Sequence, residues 1–119
     1  MALTRSNPDG FTTRIADQTA ASTTADSDLY GGAAKLYSLD INNAASQANY
    51  AKVYDVTEAS ASDDPVLILK VPNGERHVVT CTQGFQFSTG VTWRAVQEAG
   101  TAGTTSPSGG NFGITGVMK

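Results

Sequence analysis

The 119-residue chain is 39% hydrophobic and 16% charged, with a formal net charge of −3, a balance that suits one small folded domain and excludes a disordered polyelectrolyte. No run approaches the roughly 18–20 apolar residues of a spanning helix, and eleven acids against eight bases argue against a phosphate-binding surface, so neither a membrane nor a nucleic-acid partner is expected. The single cysteine, Cys81, excludes an internal disulfide and a cysteine-rich zinc site.

Met1 to Arg5 lacks the apolar stretch of a signal peptide, which predicts synthesis in the cytoplasm. Residues 1 to about 28 are rich in Thr, Ala, Ser and Asp. Their isolated apolar residues Leu3, Phe11 and Ile15 are too widely spaced to form an amphipathic face. The segment reads as an extended arm over residues 1–30, of which the first 28 could reach about 90–100 Å at about 3.3–3.6 Å per residue, with a disordered tail as the equal alternative and a sandwich domain over 31–119. Phe11, Leu29 and Tyr30 are the arm residues best suited to anchor a partner.

Ala34 to Asn42 alternates as a strand, with Tyr37, Leu39 and Ile41 on one face. Tyr50 to Val56 resumes the alternation after a small polar loop. Pro65 to Pro72 is β-rich and bounded by prolines, as an edge strand tolerates. Asn73-Gly74 then predicts a type I′ hairpin joining it to Arg76–Cys81. Gly84 to Phe87 and Val91 to Val96 extend the same meander. Ala99 to Asn111 is almost wholly Gly, Thr, Ser, Ala and Pro and reads as a long surface loop, and Phe112 to Met118 closes the chain as a strand interrupted by glycines. About seven strands with no convincing helix predict an all-β, antiparallel sandwich of jelly-roll type.

Chemistry is thin in this inventory. His77 and Cys81 share a strand face, but no third group in the nearby sequence would orient them for catalysis. His77 fits an edge residue better, and Cys81 a buried, inert thiol. Asp26-Ser27-Asp28 and Asp63-Asp64 offer hard-cation oxygens without matching a calcium-loop motif, and Asp63-Asp64-Pro65 reads more simply as a turn. Trp93, Phe85 and Phe87 fit a core better than a sugar platform. No catalytic residue, cofactor or metal is expected, and the chain is not read as an enzyme.

Several framework segments carry a resemblance: Ile41-Asn42-Asn43, Tyr50 to Asp55, Asp64-Pro65, Val71 to Gly74, Gly84 to Val91 and Ala99 to Pro107. Across Leu36 to Pro107 the chain resembles small β-sandwich virion proteins of tailed bacteriophages, particularly those of cyanobacterial and other aquatic hosts. That resemblance implies a structural role in the virion, as a capsid cement or decoration protein. The implied partners are the major capsid protein and copies of itself in a homotrimer. The alternatives are a tail, baseplate or fibre module, or a host-glycan-binding module.

Overall fold

The computed structural model describes residues 3–6, 12–26, 29–60 and 62–119. Among them lie nine strands: β1 (Leu3–Ser6), β2 (Thr13–Asp17), β3 (Tyr30–Gly31), β4 (Ala34–Asn43), β5 (Asn49–Tyr54), β6 (Leu67–Val71), β7 (Arg76–Phe87), β8 (Gly90–Val96) and β9 (Phe112–Met118), with one 3₁₀ turn at Thr24–Asp26. They form two antiparallel sheets, a five-stranded one in the order β1-β2-β9-β4-β7 and a four-stranded one in the order β3-β8-β5-β6. The expected all-β sandwich is the observed fold.

The topology follows from a nesting of partners. β5 pairs with β6, β4 with β7, β3 with β8 and β2 with β9. These are the rungs of one long hairpin whose tip is the β5–β6 connection. Rolling that hairpin brings β4 against β9 and β5 against β8, which splits the strands into two facing sheets in jelly-roll order. β1 adds outside β2.

The core lies between the sheets. Alternation places Phe112, Ile114 and Met118 of β9 inward, with Leu36, Leu39 and Ile41 of β4, Ala51 and Val53 of β5, and Val91, Trp93 and Ala95 of β8. Each large side chain buried in this way contributes about 1.5–3 kcal/mol. Trp93 is the largest of them, and its ring passes directly over Gly116, where an added Cβ would sit 2.9 Å from Trp93 Cζ3. The glycine in β9 is thus a seat for the indole.

Three sequence expectations change. The described part of the first thirty residues does not project from the domain as an arm: strands β1 and β2 belong to the five-stranded sheet, and Ile15, Ala20, Ala25 and Leu29 are buried. Their spacing hid this because β2 turns Thr13, Ile15 and Asp17 to one face, a single strong hydrophobe between two polar residues.

Asn73-Gly74 does not close a hairpin, since β6 and β7 lie in different sheets. Gly74 has φ +74° while Asn73 has negative φ, and Glu75 N–H donates to Pro72 O at 3.2 Å. That is the pattern of a type II turn, which needs positive φ only at its third residue. The turn is held against the end of β4, where Gly74 N–H donates to Asn43 O and Asn43 N–H to Glu75 O. The buried Asn43 side chain also donates to Val71 O at 2.8 Å, so one residue pins the corners into β5 and out of β6.

Finally, a register shift between Leu36 and Ser38 takes Tyr37 out of phase with Leu39 and Ile41. Leu36 takes the inward place, and Tyr37 is half-buried.

Candidate functional site: the open side of the sandwich

The two sheets differ in width, and the difference is left uncovered on one side. β6 ends the four-stranded sheet and β7 ends the five-stranded one. β6 reaches across to β4, so β7 overhangs. Its register places His77 opposite Ile41, Val79 opposite Leu39 and Phe85 opposite Leu36. These three therefore face inward with the core residues of β4, yet Val79 is 40% and Phe85 37% exposed. On the outer face Val78 is 58% exposed.

A groove of about 250 Å³ runs along this overhang, lined by Leu36, Leu39, Leu67, Val79, Cys81 and Phe85. Phe85 is held at its rim by Phe87, the ring centroids 5.4 Å apart and tilted. Ile68, in register with Lys52, points to the outer face of the four-stranded sheet and lies outside this groove.

β7 is regular only in its first part. Thr80 sits opposite Ser38 and Phe85 opposite Leu36, so β7 carries extra residues between them. Gly84 absorbs this bulge with φ +82° and lies so close to Lys35 that a Cβ there would stand 2.6 Å from Lys35 Cβ. Among the described residues no strand lies along the outer edge of β7. From Val78 to Phe87 it carries neither a charged side chain nor a proline, two of the means by which an edge strand repels pairing, and a third, the bulge at Gly84, lies beyond the regular stretch Arg76–Thr80. Charge gathers at its start. Arg76 forks onto Asp40, with Nε to Oδ1 at 2.8 Å and a second contact from its terminal nitrogen to Oδ2, and this holds the Asp40 carboxyl below the usual range. His77 Nε2 lies 3.1 Å from Glu75 Oε1.

The opposite treatment is found on the outer face of the four-stranded sheet. Every residue of β8 is buried on both faces, because the 3₁₀ turn and the loops around Ala59 and Gly100 lie over it. Lys52 and Arg94 face each other there on neighbouring strands, and both are buried. Lys52 Nζ donates to Gly100 O, and an Arg94 terminal nitrogen to Ala59 O at 3.1 Å. The Arg94 guanidinium lies 5.3 Å from the centroid of Tyr54, within cation–π range. Burial lowers the Lys52 pKa, against the opposing pull of Glu98.

Asp17 is likewise buried, and desolvation raises its pKa although Thr24 Oγ1 donates to Oδ2 at 3.1 Å. The Trp93 indole N–H also favours the charged carboxylate, but neither Trp93 Nε1 nor Asp17 Oδ1 completes a well-formed hydrogen bond. These groups tie the first thirty residues to β8. Trp93 and Thr24 are buried there as cover and core, while Asp17 also contributes to the lining of a surface depression.

A larger and more polar depression lies on the outer face of the five-stranded sheet, where Asp40, Asn42, Arg76 and Thr115 contribute to its lining. Its Arg76–Asp40 pair is already mutually satisfied, and the other carboxylate of its lining, Asp17, is buried.

The expected anchors fall elsewhere. Leu29 is fully buried in the core and Tyr30 packs half-buried against it, so Leu29 is closed to a partner; Phe11 lies outside the described residues. His77 meets Glu75, and Cys81 lines the apolar groove. Trp93 is core, as its pattern suggested. Asp63 accepts from Ser60 N–H at 2.8 Å, the turn role expected of it, while Ser27, Asp28 and the Asp26 side chain lie outside the described residues. The groove itself was missed. Its signal was the unbroken uncharged run after His77, which reads as an interior strand unless the sheet order is known. No family model, curated protein or solved structure matches the chain.

Proposed function

We propose that this chain is a structural subunit of a tailed-phage particle, a capsid cement or decoration protein that binds its neighbours through the open side of its sandwich. The observation that carries the reading is the overhang of β7, which leaves inward-facing Val79 and Phe85 exposed over an apolar groove. A neighbour's strand laid along β7 would gain main-chain hydrogen bonds and cover those side chains in one step. Burial of that surface would couple assembly to stability, as a protein that reinforces a shell requires. The resemblance across Leu36 to Pro107 supplies the particle setting, and the jelly-roll order suits it, since such folds recur in shells.

The test is quantitative mass spectrometry of gradient-purified particles from a source that encodes the chain. Copies near parity with the major capsid protein support a shell-covering role. A few copies per particle would move the chain to the tail, baseplate or a fibre, and absence from particles would overturn the proposal.

A further inference from the structure

We infer that the open side pairs with the same side of a second copy of this chain, β7 running antiparallel to its counterpart across a two-fold axis, so that two five-stranded sheets join into one of ten strands. The inference rests on the reading of this side as an assembly surface and names the partner that it takes.

Charge selects a second copy. The chain carries a net charge of −3 and copies should repel one another in general, but along β7 that repulsion is absent. Arg76 is neutralised by Asp40, His77 is paired with Glu75, and Val78 to Phe87 is uncharged. Two such strands meet without opposing like charges, whereas a strongly basic or acidic partner finds no complementary pattern there.

Shape selects the same edge of that copy. A two-fold contact uses one patch twice and closes. Head-to-tail addition of β1, at the other end of the sheet, would set its four described residues against the twelve of β7, and a head-to-tail contact closes only if its rotation allows.

The area is sufficient. β7 spans twelve residues, the bulge shortens it below its straight length, and the longest extent of the molecule is 37 Å; with two sheets about 10 Å apart and their side chains making a side about 20 Å tall, the patch is at most about 700 Å² per copy, at the lower end of a standard stable interface. The ladder forms on Arg76–Thr80, the part of β7 in regular register with β4. Beyond it the bulge bends the strand, and Phe85 with the groove supplies apolar contact.

The experiment is sedimentation of the purified full chain from low micromolar to millimolar concentration. The wild type sediments as a dimer at the high end and dissociates on dilution. Val78→Lys, at a side chain already 58% exposed, leaves the circular dichroism unchanged and weakens dimerisation by about tenfold or more, while Val78→Thr, which keeps the branched β carbon, retains it. A wild type that stays monomeric throughout, or an oligomer whose mass Val78→Lys does not move, overturns the inference. If the purified chain is monomeric but Val78→Lys still prevents incorporation into particles, only the identity of the partner fails and the reading of this side as an assembly surface stands.

Discussion

β8 and β7 are neighbours in sequence and opposites in environment. β8 sits inside its sheet with both faces covered, so that even Thr92 and Arg94 are buried. β7 follows an equally apolar pattern, yet it lies at an edge and is exposed along nearly its whole length. Composition does not set this difference. The closed region spends loops and buried cations on covering a sheet face that a water-facing domain could have left wet. The open region leaves apolar side chains bare where a little more chain would have hidden them, and that asymmetry is the reason for reading β7 as a surface meant for company.

The largest effect is expected where the two regions share a core. Trp93→Ala empties the space over Gly116 and should cost about 3–5 kcal/mol, measured by denaturant unfolding. Gly116→Ala probes the same contact from below and should destabilise by about 1–3 kcal/mol through overpacking.

The link between the regions comes next. Asp55 accepts from Ser88 N–H at 3.0 Å, Thr89 N–H at 2.8 Å and Gly90 N–H at 3.2 Å, which holds the chain where it leaves β7 for β8. The bond from Ser88 contributes most to lowering the Asp55 pKa. A folded pKa below the unfolded one gives stability that is present above the ordinary aspartate range and lost as the pH falls through the folded value. Asp55→Ala should cost about 1–2 kcal/mol at neutral pH, with the deficit against wild type shrinking in acid; thermal melts across the acid range check both.

The buried cation of the closed region should respond in the same direction but in the alkaline range. Because burial lowers the Lys52 pKa, the unfolded chain holds that proton more tightly. Wild-type stability therefore gains as the pH rises through the folded pKa towards the ordinary lysine value of 10.5. Lys52→Met should remove that alkaline gain and raise stability at neutral pH by roughly 1 kcal/mol, read from melts on either side of the window. The smallest effect belongs to the open side, where Val78→Lys should move monomer stability by less than about 0.5 kcal/mol. Near silence in the monomer with a large effect on association is what separates an interface from a core.

Much of this fold can be read in the residues. β4, β5, β6, β8 and β9 announce themselves by alternation and turn chemistry, and the Gly- and Thr-rich run after Ala99 is the loop its composition suggests. Pairing is less legible. Asn73-Gly74 carries a hairpin signal, but Gly74 alone takes positive φ and the chain crosses to the other sheet, a choice made by Asn43 and Val71 at a distance in sequence. β2 escaped notice because Asp17 occupies an inward position, and Thr24, Trp93 and the backbone at Thr19 favour its charged form there against the cost of burial. The candidate site was hidden for a related reason. Val79 and Phe85 belong to a core-like pattern, and their exposure is a property of unequal sheet widths that no local window contains.

The most direct test of the account is amide hydrogen exchange of the wild-type chain at low and high protein concentration. Pairing of β7 with its counterpart predicts that alternate amides of Arg76–Thr80, those pointing away from β4, exchange freely at low concentration and slow markedly at high concentration, while β8 stays protected at both. Exchange along β7 that is the same at the two concentrations would contradict it.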